Sequence, residues 1–396
     1  MSDSVLGSLA LGFERMWNPQ RRCAGVRLRV APRIAGAVDA RHLLDALGSA
    51  WAESDPILLQ VQSPALLDDL LAQRPVRAIW LEIADDDLMD TATASRVRLA
   101  WQRGWPLVWS GPPGLAPAPD TQAWFHKTLH ALTPFEALDA LHAARSGHLP
   151  DGPARSTCLY QDLPSQALVN HALDQQRVWG VVGWPTDDIL HANRLRPIQP
   201  SHRIIHALLK ALERDASFDA LEDHLVQDPL LAYRFLRFAN SALVGARGEV
   251  SSVRQGLMVM GHTPLRRWLA EQLPNANEDT DLDPIRASMV LRAHLMAHLS
   301  DAGAQDELRR EVFLCGLLSQ LDQLLHEPLG AALQRLPLPG RIASAVVGRT
   351  GPYAAWLEVA EALESGNTSL VRTVCQAHAM APDAVNRALL RALGSV

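Results

Sequence analysis

Cysteine is scarce in this chain of 396 residues: Cys23, Cys158, Cys315 and Cys375 stand far apart, with no CxxC pair. That spacing argues against a zinc knuckle or a redox dithiol and fits reduced thiols in a cytoplasmic protein. No window holds about 18 uninterrupted apolar residues, so no membrane span is expected. The opening MSDSVLGSLALGFERMW has no early positive charge ahead of an apolar core, so no secretory signal is expected either. The chain also lacks the basic excess of a nucleic-acid binder, with a net charge of −6 and a pI near 6.2. Arg266 and Arg267 beside Trp268 read as a solvated helix face. Aromatics make up only 5%, yet 11 of them are Trp, mostly in the first half and often clustered, as at Trp101, Trp105 and Trp109. Packing explains them.

What is present suffices for a folded protein: 48% hydrophobic and 20% charged residues exclude wholesale disorder. The length suggests two domains of roughly 100–200 residues each. The first half alternates short β-like runs (Val26 to Val30, Ile57 to Val61, Ala78 to Ile83, Pro106 to Trp109) with amphipathic stretches. Those stretches are Asp39 to Trp51, Pro64 to Gln73 and Met89 to Arg103, and in the first of them Leu43, Leu44 and Leu47 share a face. Such alternation implies right-handed βαβ units and a parallel sheet or barrel. Gly111 to Asp120 is too rich in Pro and Gly for a regular element and reads as an exposed loop. A helix at Phe135 to Ala144, a strand at Ser156 to Tyr160, a helix at Gln166 to Gln176 and a strand at Trp179 to Gly183 complete the pattern. Asp85-Asp86-Asp87 reads as a solvated helix N-terminus.

From about Leu195 to Pro200 the texture becomes helical, which places the expected border between domains 1–195 and 200–396 there. N-cap candidates recur at Ser201, Ser217, Ser251 and Thr263, the last with Pro264 at N1. Asp228-Pro229 opens one helix, Asn240-Ser241 stops it, and Gly261 stands where an αL cap would. Leu317, Leu318, Leu321, Leu324 and Leu325 form a helical seam. His202/His206 and His294/His298 have the i, i+4 spacing that zinc can use, but neither pair encloses the Glu of HExxH. They read as surface or half-buried histidines.

Three blocks carry a resemblance: Asp228-Pro229, the run from Leu236 through Asn240-Ser241, and Ser251 through Gly261, continued by Val312 through Gly316-Leu317-Leu318. In their order and spacing they resemble the HDOD domain, an all-helical signalling module related to metal-dependent phosphohydrolases. Those hydrolases place His-Asp after a Gly-Leu-Leu-like turn; here Ser319-Gln320 follows, and the metal ligands are missing. The same resemblance gives Asp228, Pro229, Asn240, Ser241, Gly261 and Gly316 structural or partner-binding roles.

HDOD domains occur behind EAL-like domains in two-domain (YuxH-like) signalling proteins, and the first half resembles an EAL domain. EAL domains are modified TIM-type barrels that hydrolyse cyclic di-GMP with acidic metal ligands at strand ends. By this resemblance Phe13 to Asn18 and Cys23 to Arg29 match the first hairpin and strand. The Glu-Ala-Leu tripeptide falls at Arg27-Leu28-Arg29, the second-strand Asn at Gln60, and the third-strand Glu is kept as Glu82. Val108 to Gly111 replaces the acidic Asp-Asp-Phe-Gly block, and Gly180 to Pro185 matches the closing strand. About 190 residues implies a shortened, degenerate barrel, since a full one takes about 250.

The resulting expectation is an α/β plus all-α chain: a degenerate EAL-like barrel followed by an HDOD domain. It is expected to act without catalysis, metal or cofactor, as a cytoplasmic adaptor that binds unidentified signalling proteins. The alternative is a receptor that binds cyclic di-GMP without cleaving it, with Arg27 and Arg29 on phosphate.

Overall fold

A computed structural model describes residues 4–34, 36–51, 55–112, 115–146, 156–241, 250–300 and 306–395. Eight strands close into one barrel: β1 (Leu9–Trp17), β2 (Cys23–Pro32), β3 (Ile57–Val61), β4 (Ile79–Ala84), β5 (Leu107–Gly111), β6 (Lys127–Ala131), β7 (Cys158–Gln161) and β8 (Gly180–Val182). β1 runs antiparallel to both β2 and β8, and every other pairing is parallel. The barrel is therefore complete in strand number, and its shortness lies in strands of three to six residues from β3 onward. Two strands escape the alternation pattern. β6 reads Lys-Thr-Leu-His-Ala, too polar to register as a run. β1 is visible in the sequence only through the family resemblance.

Register fixes which side chains point inward, because successive residues alternate between the two faces of a strand. Met16, Leu58, Val108, Leu129, Leu159 and Val182 form a buried cluster, with Trp80 and Trp179 packed against it. The interior is a filled core, as expected of an eight-stranded barrel.

The expected helices form, with caps that explain their limits. Asp39 caps Ala40–Ala50, Ser63 caps Pro64–Ala72 and Asp90 caps Thr91–Gln102, each with its side chain accepting from a first-turn backbone N–H. The Asp85 triplet lies in a single 3-10 turn, Asp85–Met89. There Asp87 accepts from Ala84 N and Asp85 accepts from the Trp109 indole at 2.9 Å, so the triplet is only partly solvated. Of the Gly111 to Asp120 stretch, Gly111 is the last residue of β5 and the other described residues carry no regular element; residues 113 and 114 lie outside the described residues.

Compact units divide the chain at two places: Met1–Ile189 with Glu361–Gly394 form one, and Leu190–Ala360 with the last two residues form the other. The sequence pattern assigned everything from residue 200 onward to the helical domain. Helices Thr368–Ala377 and Pro382–Leu393 instead pack on β1. Asn386, 1% exposed, fastens the last helix by donating to the carbonyls of Leu6 (2.7 Å) and Leu9 (3.1 Å).

The second unit is helical, and its longest helices are His202–Glu213, Pro229–Ala239, His262–Gln272, Asp283–Leu299 and Asp306–Leu318. Several expected helix starts shift. Ser217 caps as expected, but Ser201 makes no side-chain cap, Ser252 and not Ser251 caps Val253–Met260, and the next helix starts at His262, ahead of Thr263-Pro264. Gly261 has φ +73° with ψ 175°, so it is an extended left-side linker and not an αL cap. The leucine seam is broken at Ser319-Gln320 into two helices, Asp306–Leu318 and Leu321–Leu325.

Candidate functional site

The polar residues singled out by the EAL resemblance lie on neighbouring strands of the barrel. Arg27 pairs in register with Glu14 and with Leu58, and Glu82 with Val108, so all three polar side chains face inward. Arg27 is 3% exposed and grips Glu82 with two parallel bonds, Nε to Oε2 at 2.7 Å and Nη2 to Oε1 at 2.6 Å. Its Nη1 donates to Gln161 Oε1 (2.8 Å) and Glu14 Oε2 (3.2 Å). Arg29, partly exposed, donates through Nε to the same Glu14 oxygen at 3.0 Å. Burial would lower the Arg27 pKa, but Glu82 and Glu14 outweigh it and raise it above the usual arginine value. The guanidinium is thus permanently charged and fills the space between the two carboxylates.

Arg27, Gln60 and Glu82 are legible in the sequence as separate positions, on β2, β3 and β4. The fold bonds two of them across the barrel. Gln60, register partner of Arg29, stays outside the network, and its Oε1 has no hydrogen-bond partner among the described residues. Its burial means that Arg27 is not a surface charge. Glu14 and Gln161 were missed; period-2 alternation puts both inside, but only barrel closure brings them to Arg27.

The mouth above this network is covered from within the same unit. Gly366, with φ +65°, lies against Arg29 and Glu14, and a Cβ on Gly12 would stand 2.8 Å from its carbonyl group. Such an approach requires glycine at both positions. Thr368 Oγ1 donates to Gln62 Oε1 at 2.7 Å, pinning the same turn beside β3.

In the helical unit, Asp228 is fully buried and accepts from Leu230 N, Leu231 N and Ser201 N at 2.6–3.1 Å. Arg286, 2% exposed, lies 3.4 Å from its Oδ2 and also donates to Gln199 O. Asp228 is therefore a cap and a charge anchor, and Pro229 is the buried first residue of the helix it caps. Asn240 exchanges two bonds of 2.8 Å with Val250 and donates to Leu236 O. Ser241 Oγ has no partner among the described residues. Gly316 allows helix contact: a Cβ there would meet Ala293 Cα at 2.7 Å.

Where a hydrolase would carry His-Asp, Ser319 Oγ donates to Gly316 O, and buried Arg292 reaches Ser319 and the Gln320 amide oxygen. In both units a buried guanidinium is held by neighbouring polar side chains. His294 packs edge-on against Phe313, and burial, helped by His298, pushes its pKa down to about 4. The His202 and His206 rings are 5.1 Å apart. Among the described residues no three His, Cys, Asp or Glu side chains converge on a metal-sized site.

Residues 198–328 match the HDOD domain family. The chain contains an HDOD domain. Curated relatives include the uncharacterized protein YuxH of Bacillus subtilis, 25% identical over 167 residues, and the cyclic di-GMP phosphodiesterase CdgJ of Vibrio cholerae, 26% identical over 191 residues. These matches cover 41% and 46% of this chain and 40% and 42% of the relatives, so the chain matches less than half of their length. Among solved structures, the EAL enzyme Bd1971 in its cGMP-bound form superposes with a TM-score of 0.29 at 10% identity, over 44% of this chain and 60% of that one.

Proposed function

We propose that this chain is a non-catalytic signal-transduction adaptor that binds partner proteins through its HDOD domain, with an inactive EAL-like barrel as scaffold. The observation that carries the reading is the Arg27 guanidinium held bidentate by Glu82 inside the barrel. A two-metal phosphodiesterase needs its carboxylates free for divalent cations. Here both Glu82 oxygens are engaged by a fixed positive charge that repels such ions, and Arg292 puts a second guanidinium beside the Ser319-Gln320 site. Metal-assisted hydrolysis is disfavoured in both halves for one physical reason.

The test is capture of partners by the full chain. Met258, 59% exposed on the HDOD helix Val253–Met260, is a suitable probe. Met258→Glu should weaken capture while the fold is retained. If this and other exposed HDOD substitutions leave every partner bound, and barrel substitutions release them, the adaptor assignment fails.

The receptor reading, cyclic di-GMP bound without hydrolysis, draws on the ligand named for CdgJ and on part-exposed Arg29 at the barrel rim. It is the weaker one, because Gly366 lies against Arg29 and Glu14 and leaves little room above them. Calorimetry at high micromolar cyclic di-GMP is expected to give no binding heat, and a saturable isotherm would reverse the ranking.

A further inference from the structure

Helices Thr368–Ala377 and Pro382–Leu393 lie on β1 and leave a cavity of about 50 Å³ beneath them. Ala10 of β1 and its cross-strand partner Ala31 are small, which leaves this room unfilled. Leu9, Ala10, Val371 and Val385 form the floor, and each is at most 3% exposed. Arg33 and Arg372 line the same cavity and are exposed, so they stand at its open rim. Arg33 donates to Gly7 O at 3.2 Å, and neither guanidinium forms an ion pair among the described residues. Asp383, next to the cavity-lining Pro382, is held by Arg387 at 2.8 Å. A solvated arginine needs no partner, but two at the rim of one closed apolar floor make an opening whose charge and lining suit one kind of molecule.

We propose that this cavity is a binding site for a short-chain carboxylate, with the aliphatic tail on Leu9, Val371 and Val385 and the carboxylate on Arg33 and Arg372. None of these residues belongs to the Arg27–Glu82 network, so the proposal is independent of the adaptor reading.

Size, charge and lining each restrict the ligand. A water-sized group occupies about 10–15 Å³ of such room, so the cavity takes about three to five of them. A tail of about two to four carbons fits, and a nucleotide does not. The rim selects the head group, because a guanidinium meets a planar carboxylate with two parallel hydrogen bonds and repels an ammonium. The floor selects the tail, because each methylene taken from water onto Leu9, Val371 and Val385 strengthens binding by about fourfold. A bare anion would use the arginines alone and gain nothing from the cavity.

The experiment titrates the purified chain with acetate, propionate, butyrate, valerate, hexanoate and octanoate at neutral pH and constant ionic strength. Binding is read by saturation-transfer NMR up to about 30 mM, since ligands this small bind in the millimolar range. Affinity is expected to rise about fourfold per methylene from acetate and to stop rising between butyrate and hexanoate, where the tail outgrows the cavity. Butylamine and inorganic phosphate are expected to bind at least about tenfold more weakly than butyrate, the first for its charge and the second for its missing tail. Arg33→Gln with Arg372→Gln, both at exposed positions, should keep the circular dichroism spectrum and weaken butyrate by about tenfold. Three results overturn the proposal: no acid binds the wild-type chain, affinity ignores tail length or climbs through octanoate, or the double variant binds butyrate as the wild type does. None of them bears on partner capture, so the adaptor reading stands or falls separately.

Discussion

Replacing Arg27 with methionine removes a side chain that makes four hydrogen bonds, two of them to Glu82, which is 6% exposed. Glu14 keeps Arg29, but Glu82 is left as a buried carboxylate without its cation. Breaking a buried pair in this way costs about 3–5 kcal/mol. Removing both charges, as Arg27→Met with Glu82→Met, leaves no orphan and should lie within about 1–2 kcal/mol of wild type, because apolar replacement of a buried pair is often near neutral. Urea unfolding followed by tryptophan fluorescence reports this unit, since nine of the 11 tryptophans precede residue 190. With a slope of about 2–3 kcal/mol/M, a cost of about 4 kcal/mol moves the midpoint by about 1.5 M. A shift below about 0.3 M for the single variant, or a double variant less stable than the single, would refute the buried-pair argument.

Other outcomes follow from the same structure. Asp228→Ala removes a cap and the partner of buried Arg286 and should cost about 3 kcal/mol or more in the helical unit, read by chemical denaturation. Gly12→Ala forces a Cβ against the Gly366 carbonyl at 2.8 Å and should cost about 1–3 kcal/mol, with faster amide exchange over residues 365–368. His294, held near pKa 4 when folded and near 6.5 when unfolded, binds fewer protons in the native state. Its contribution is therefore complete above about pH 6.5 and is lost as pH falls toward 4, on the order of 2–3 kcal/mol. His294→Gln should flatten that part of the stability–pH curve, and an unchanged slope would exclude the assignment.

The sequence makes much of the barrel readable, because β2, β3, β4, β5, β7 and β8 are apolar runs bounded by turn residues. It hides β6, whose Lys127 and His130 break the apolar run while still packing in the barrel. The destination of the last two helices is also hidden: an amphipathic pattern states that Val371, Val385 and Leu389 are buried, not what buries them, and they pack on the barrel unit. The site was half legible. Arg27 and Glu82 could be located on separate strands, yet their bond spans 55 positions and exists only because the sheet closes. Gly12 and Gly366 show the same limit, since nothing local marks either glycine as the point where two backbones touch. In the helical unit, Asp228 was readable as a cap because capping is a local interaction, whereas its pairing with Arg286 required the tertiary fold.

The central claim is that a guanidinium has replaced metal chemistry in the barrel, and turnover tests it most directly. The purified chain incubated with cyclic di-GMP and either manganese or magnesium is expected to release no linear product above the metal-only control. Hydrolysis that is abolished by Glu82→Gln would contradict the account, because it would mean that Glu82 leaves Arg27 to bind metal.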